Sequence, residues 1–267
     1  MKFVDQLPVA QVATVFTDID DTLTTAGKLG ADVYAALEAL QRAGLRVIPV
    51  TGRPAGWCDH IARLWPVDGV IGENGALYMW HDRDAGLLRT RHLLGEPERA
   101  RNAERMAEVR ERILREVPGC AVASDQFCRQ YDLAIDFRED VPPLARAEVE
   151  RIAQLMEDAG MTAKISSIHV NGWFGRYDKL SMARLMMQER YGIDLADEAQ
   201  RSRCVFAGDS PNDAPMFAYF PLSVGVANVL DFADRLDHLP RFITRCASGA
   251  GFAELAHHLL SARDHAA

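Results

Sequence analysis

The chain has 267 residues, 48% of them hydrophobic, which is enough to bury the core of one large domain or two modest ones. Its formal net charge of −8 argues against a nucleic-acid surface or an anionic membrane as the main partner. The five cysteines are scattered without a C-x-x-C pair, which favours neither a disulfide framework nor a zinc site. Since no apolar segment reads as an export signal or a membrane span, we expect a cytoplasmic protein.

The first predicted element is a buried strand over residues 12–17, which ends in Asp18-Ile19-Asp20-Asp21. Ligands of α/β sheets bind beyond the carboxyl ends of the strands, where Asp18 is expected. Three carboxylates within four residues repel one another unless a cation or a reacting phosphoryl group requires them. The alternative interpretation is an acidic turn, in which aspartates cap local backbone N–H groups.

Two further predicted strands also end in polar residues. A helix and the strand over residues 45–50 complete a βαβ unit, and Thr51-Gly52-Arg53 follows that strand directly. A second helix leads to the short strand 70–71. The dipeptide Asn74-Gly75 then predicts a tight turn into an antiparallel strand over residues 77–80.

The pattern changes from about residue 82. The predicted elements of this segment are a charged helix over 97–117, a strand over 133–137, a helix over 142–159 and a strand over 162–170. Because this segment interrupts one α/β pattern and can form its own small sheet, we interpret residues 82–176 as an inserted cap domain. Residues 1–81 and 177–267 then form the core.

The core pattern resumes with a helix over 179–191 and a buried strand over 204–207 that ends in Gly208-Asp209-Ser210-Pro211-Asn212-Asp213. Further short strands are predicted over 223–226 and 242–244. The methionines of the first helix, Met182, Met186 and Met187, are interpreted as core packing.

Four polar clusters thus follow strands or begin a helix: Asp18 with Asp20, Thr51 with Arg53, Lys179, and Asp209 with Asp213. In a parallel sheet these ends lie at one edge, so the clusters can converge. Together they provide a nucleophilic carboxylate, a second carboxylate, a hydroxyl and a lysine, which suit metal-assisted phosphoryl transfer through an acyl phosphate. Taken singly, each cluster has a simpler interpretation as a turn, a helix cap or a solvated face.

The four clusters resemble the motifs of the haloacid dehalogenase superfamily of aspartate-nucleophile phosphohydrolases. The family motif D-x-D-x-T is matched by residues 18–22, its Ser or Thr by Thr51, its lysine by Lys179 and its G-D-x-x-N-D by residues 208–213. The turn Glu73-Asn74-Gly75-Ala76 and the position of the insertion resemble the Cof-type, class IIB branch. The resemblance implies an α/β fold with a Rossmann-like parallel-sheet core and a smaller inserted α+β cap.

The resemblance also implies residue roles. Asp18 is the expected nucleophile, and Asp20 the expected general acid and then base. Thr51, Gly52 and Lys179 are expected to bind the phosphoryl oxygens. Magnesium is the expected cofactor, held by Asp18, the Asp20 backbone carbonyl and Asp209, with Asn212 and Asp213 orienting these ligands.

Substrate recognition is expected from the cap and the rim of the core. The candidate contacts are Arg53, Asn74, His169, Asn171 and Arg176, with Ser167 and Trp173 in the same stretch. The predicted function is a magnesium-dependent phosphomonoester hydrolase acting on a phosphorylated sugar or a related small metabolite. A sugar phosphomutase with the same intermediate is the first alternative, and a non-catalytic phosphate-sensing protein is the second.

Overall fold

The computed structural model describes residues 1–166 and 168–264, with side chains to residue 261. The strands are β1 (Lys2–Phe3), β2 (Thr14–Thr17), β3 (Thr24–Thr25), β4 (Lys28–Leu29), β5 (Arg46–Pro49), β6 (Val70–Gly72), β7 (Leu77–Asp82), β8 (Leu87–His92), β9 (Ala121–Val122), β10 (Asp132–Asp136), β11 (Thr162–Ile165), β12 (His169–Trp173), β13 (Cys204–Gly208), β14 (Leu222–Gly225) and β15 (Phe242–Ile243). The helices are α1 (Ala31–Arg42), α2 (Ala55–Leu64), α3 (Glu96–Glu116), α4 (Arg146–Asp158), α5 (Lys179–Tyr191), α6 (Glu198–Arg201), α7 (Ala214–Tyr219) and α8 (Ser248–Asp264). None of these helices combines the length and the apolar character that crossing a membrane requires.

The core is a parallel six-stranded sheet in the order β1-β15-β14-β13-β2-β5. Successive side chains of a strand point to opposite faces. Accordingly, Val15 packs into a cluster with residues of α1 and α8, whereas Phe16 packs into a second cluster with Met182 and Met186 of α5. Helices therefore cover both faces of the sheet, and the predicted α/β parallel-sheet core is confirmed.

A second, antiparallel sheet of three strands, β6-β7-β8, extends the core, because Val50 and Ile71 form a parallel bridge. The predicted turn at Asn74-Gly75 connects β6 to β7. The strand β8 pairs along the whole of β7. The predicted cap boundary at residue 82 therefore falls inside this sheet. No residue pattern in 87–92 indicates that this segment pairs back onto β7.

The cap is an antiparallel sheet in the order β11-β12-β10-β9, packed against α3 and α4. The single strand predicted over residues 162–170 is wrong, because the segment folds into the hairpin of β11 and β12. Ser166 makes the turn without glycine or proline: its amide donates to the His169 carbonyl at 2.8 Å, and its hydroxyl accepts from the His169 amide at 3.0 Å. The predicted start of α4 at Pro142 is also early by one turn, since the helix begins at Arg146.

Candidate active site

The carboxyl ends of the two central strands carry the first two acidic groups of the site. Asp18 follows β2 directly, and its amide donates to the carbonyl of Ala207 in β13 at 2.8 Å. Asp209 follows β13 in the same way. Because β2 and β13 are parallel neighbours, residues far apart in sequence meet at one edge of the sheet.

Lys179 connects the acidic groups of this edge. It is the first residue of α5, and its Nζ lies 2.7 Å from both Asp18 Oδ1 and Asp213 Oδ1. The lysine is only 2% exposed, and Asp213 is fully buried. Ligand atoms of Asp18, Asp209 and Asp213 all lie within 4.8 Å of one another. The structure thus brings three of the four predicted clusters into contact.

Further hydrogen bonds fix the acidic side chains. Asp213 Oδ2 accepts from the amides of Asp209 at 3.0 Å and Ser210 at 3.3 Å, so protein groups occupy both of its oxygens. A Cβ on Gly208 would lie 2.4 Å from Asp213 Oδ2, which explains the glycine. Asp209 accepts hydrogen bonds from side chains that flank it. These are Thr22 Oγ1 at 3.0 Å and Asn228 Nδ2 at 3.2 Å.

Burial dominates the electrostatics of these groups. It raises the pKa of Asp18 to about 7, with Asp213 and Asp20 adding to the rise and Lys179 opposing it. Burial likewise raises the pKa of Asp209, and the charges of Asp18 and Asp213 add to it. For Lys179, burial lowers the pKa, but the two carboxylates overcome that effect and raise it. The site therefore concentrates more negative charge than its single lysine balances.

The fourth predicted cluster lies beyond β5. Thr51 is fully buried, and its hydroxyl accepts from the amide of Arg53 at 3.0 Å. The Arg53 guanidinium does not point to open solvent: it binds both oxygens of Asp20 at 2.9–3.0 Å. The Gly52 carbonyl accepts from Arg129 of the cap at 2.9 Å. This cluster is therefore where the core meets the cap.

A small cavity of about 20 Å³ lies over Asp18 and Asp20, lined by Gly52, Arg53, Arg129, Ser166, Ile168, His169, Asn171, Ser210 and Asn212. Among the predicted substrate contacts, His169 Nε2 lies 2.9 Å from Glu139 Oε2, and Asn171 donates to Asp132 at 2.8 Å. Asn74 Oδ1 accepts from Asn212 Nδ2 at 3.5 Å.

The remaining candidates of the last cap strand lie elsewhere. Trp173 is buried in the main hydrophobic cluster of the core. Arg176 is exposed and is not among the described residues that line the small cavity. Ser167 lies outside the described residues.

Several residues that contact the site were not predicted from the sequence. Glu73 accepts from the amide of Ala55 in the core and from those of cap residues 130–132. Glu139 and Asp125 of the cap bind Arg53. Glu139 lies three residues after the end of β10, in the polar segment that follows this strand. The same signal of a polar tip after an apolar strand, applied to the cap, would have found it.

The comparisons with known proteins agree with this geometry. The family described as haloacid dehalogenase-like hydrolase matches residues 15–95, which include the turn Asp18-Ile19-Asp20-Asp21 and the Thr51 loop. Over these residues the chain resembles the haloacid dehalogenase-like hydrolases.

Individual relatives match along nearly the whole chain. This chain is 29% identical over 248 residues to a phosphoglycolate phosphatase from Pyrobaculum neutrophilum, and the match covers 91% of this chain and 94% of the relative. Among solved structures, Thermoplasma acidophilum 0175 superposes with a TM-score of 0.70 at 17% identity, covering 93% of this chain and 98% of that one. The subclass IIB sugar phosphatase BT4131 superposes with a TM-score of 0.62 at 15% identity, covering 92% and 98%. The chain therefore shares its fold, over more than nine-tenths of its length, with both of these solved structures.

Proposed function

We propose that this protein is a magnesium-dependent phosphomonoester hydrolase that works through an aspartyl-phosphate on Asp18. The observation that carries the proposal is the buried contact of Lys179 with Asp18 and Asp213, beside Asp209, at the carboxyl edge of the sheet. The family match and the phosphatase relative support the same class of enzyme. The free cysteines suit the reducing cytoplasm, where we place the activity.

The donor set fits magnesium. Mg²⁺ prefers hard oxygen ligands, and the site offers three buried carboxylates within 4.8 Å of one another. Burial raises the pKa of Asp18 and Asp209, which indicates that a cation beyond Lys179 is needed to keep both ionised. Asp18, Asp209 and the Asp20 carbonyl would hold the ion, while Asp213 and Asn212 orient its ligands. When bound, Mg²⁺ lowers the repulsion between a carboxylate and a phosphate dianion.

The chain's own residues then carry the two halves of the reaction. An Asp18 carboxylate oxygen forms a bond to phosphorus as the bond to the leaving oxygen breaks, and Asp20 donates a proton to that oxygen. In the second half, Asp20 takes a proton from the attacking water. The new P–O bond forms as the acyl-phosphate bond breaks, which releases phosphate and regenerates Asp18. Lys179, Thr51 and Gly52 hold the phosphoryl oxygens throughout.

The substrate we propose is a phosphorylated sugar or a related small metabolite. A larger cavity of about 530 Å³ opens between the cap and the core next to the small one, with Ser166 in both linings. It offers a leaving group of sugar size a place beside the phosphoryl site. The name of the phosphoglycolate phosphatase relative adds 2-phosphoglycolate to the compounds worth testing.

A phosphate-release screen with Mg²⁺ tests the proposal. The panel contains phosphorylated sugars, 2-phosphoglycolate, nucleotides and phosphorylated vitamins, and Asp18→Asn serves as the blank. We expect Asp18→Asn to abolish turnover because an amide is not a nucleophile here, while far-UV circular dichroism stays unchanged. Turnover by the variant at the parent rate would reject Asp18 as the nucleophile. Isomerisation of a hexose phosphate without phosphate release would indicate a mutase instead, and binding without turnover would indicate a sensor.

A further inference from the structure

Arg53 and its three carboxylate partners form a cluster that joins the core to the cap, and His169 contacts one of those partners, Glu139. We define the Arg53 cluster as Asp20 and Arg53 of the core together with Asp125, Glu139 and His169 of the cap. The arginine side chain is only 6% exposed. Its guanidinium also stacks on the Trp57 ring, with 4.3 Å to the ring centroid.

Arg53 divides its donors between the core and the cap. Its Nε and Nη2 bind the Asp20 carboxylate at 2.9–3.0 Å. Nη2 also binds Glu139 at 2.8 Å, and Nη1 lies 3.4 Å from both Glu139 and Asp125. A planar guanidinium with fixed donor directions can satisfy both sides only in one orientation. The orientation of Asp20 therefore depends on carboxylates of the cap.

Glu139 is itself held firmly. Its amide donates to Asp136 at 2.7 Å, and His169 Nε2 lies 2.9 Å from its carboxylate. The contact with His169 lowers the pKa of Glu139 to about 2 against the effect of burial, and Arg53 adds to the lowering. Asp125 has a second guanidinium partner, Arg129, at 3.1 Å. The cap therefore presents Arg53 with one ionised carboxylate that is fixed in place.

We propose that Arg53 is a positioning residue for the general acid, and that Glu139 makes the positioning of Asp20 depend on a seated cap. The inference rests on the proposed phosphatase function. It assigns to the cap a part in proton transfer in addition to any contact with substrate. An open cap removes Glu139 and Asp125 from Arg53, and the guanidinium is then free to turn away from the productive orientation.

The leaving-group dependence of kcat/KM distinguishes positioning of an acid from a general structural effect. This constant reports the steps up to departure of the leaving group. An alkoxide leaving group needs the proton from Asp20, whereas 4-nitrophenolate departs without it. Loss of acid positioning therefore lowers kcat/KM for an alkyl ester more than for the aryl ester. A structural defect lowers both equally.

The experiment compares Glu139→Gln with the wild type on 2-phosphoglycolate and 4-nitrophenyl phosphate. We expect kcat/KM for the alkyl ester to fall by about 10- to 100-fold and that for the aryl ester by less than about threefold, in line with the usual size of general acid catalysis and of misplacement. Arg53→Lys keeps the positive charge without the fork and should show the same selective loss. Glu139→Asp keeps a carboxylate and should recover part of the alkyl activity.

Glu111→Gln, the same change at an exposed site on α3, is the matched control and should equal the wild type on both esters. Equal losses on the two esters, or no loss on either, would overturn the inference for Glu139, and Arg53→Lys provides the independent second test if Glu139→Gln does not fold. The wild-type rate separates the two proposals. A wild type that releases no phosphate from any ester rejects the proposed function, whereas an active wild type with indifferent variants rejects only the role of the Arg53 cluster.

Discussion

At the scale of single residues, Lys179 is the charge that makes the acidic site tolerable inside the protein. It balances Asp18 and Asp213, which are nearly or fully buried. Breaking a buried ion pair by removing one partner is far more costly than the pair is worth intact, because the remaining charge stays desolvated. Both the stability of the fold and the proposed chemistry of the site therefore depend on Lys179.

We therefore predict that Lys179→Met destabilises the metal-free protein by about 3–5 kcal/mol and abolishes phosphate release. The measurement is urea unfolding with and without Mg²⁺, and Mg²⁺ should restore more stability to the variant than to the wild type because it supplies the missing positive charge. Lys2→Met, in the exposed strand β1, is the control and should change neither quantity appreciably. A variant as stable as the wild type without Mg²⁺ would contradict this account of the charges.

The sequence predicted that Asp18, Lys179 and Asp209 lie together at the edge of the core sheet, but it did not predict the cap residues that contact this region. Asp18 and Asp209 are predictable because each follows a buried strand. Lys179 is predictable because it begins a helix. The contacts of Arg53 with Glu139 depend on how the cap sits on the core. No local pattern encodes that arrangement, since it results from the packing of segments far apart in sequence.

At the scale of elements, the turn Glu73–Gly75 positions the start of α5. Glu73 and Asn74 have φ values of 45° and 55°, and Gly75 has 105°. A Cβ on Gly75 would lie 2.1 Å from the carbonyl oxygen of Asp178, which caps α5 one residue before Lys179. The absence of a side chain at Gly75 therefore sets how closely the turn approaches the helix that carries the lysine.

Gly75→Ala should consequently move the first turn of α5 and displace Lys179 from Asp18. We expect loss of most of the activity and a drop in stability of at least about 1–3 kcal/mol, the usual cost of strain at such a position. Gly86→Ala is a matched control because Gly86 also has a positive φ, 65°, but a Cβ there meets nothing within 4 Å. Activity assays and thermal unfolding of both variants decide the matter. Parent-like activity in Gly75→Ala would show that the approach to Asp178 is not required.

Elements whose ends carry a recognisable capping or turn residue were predicted well. Elements whose ends lack such a residue were not. The limits of α5 agree with the prediction over 179–191, because Asp178 caps the start and Gly192 takes the left-handed conformation at the end. The hairpin of β11 and β12 was missed because its turn is made by Ser166 through hydrogen bonds rather than by glycine or proline. A turn of that kind leaves only a weak signal in the composition.

At the scale of the whole molecule, the cap is held over the core by a carboxylate of the core. Glu73 is fully buried and accepts from the amides of Ala55 and of the cap residues Gln130, Tyr131 and Asp132 at 2.6–3.2 Å. The cavity over Asp18 and Asp20, about 20 Å³, has room for little more than one water-sized group. Under the proposed function we expect the cap to lift when a phosphoryl group enters, and contacts such as this one to limit how far it moves.

We predict that Glu73→Gln loosens the cap. The side-chain NH2 of Gln is a donor, so it cannot accept from the backbone N–H groups that a Glu73 oxygen binds. Each buried N–H left without an acceptor costs about 1–3 kcal/mol. Hydrogen–deuterium exchange should show faster exchange at residues 130–132, and the melting temperature should fall. Glu111→Gln, on an exposed face of the same cap, should show neither change. Unaltered protection at residues 130–132 would mean that Glu73 does not hold the cap.

The order of strands in the core sheet has a consequence for biosynthesis. Strand β2, which leads to Asp18, lies between β5 and β13, yet β13 (Cys204–Gly208) is translated after the whole cap. Until then one side of β2 has no pairing partner, and a growing chain in that state exposes backbone groups that invite aggregation. A nascent chain that ends before residue 204 thus contains every strand of the cap but only part of the core sheet, with Asp18 already made and Asp209 still to come.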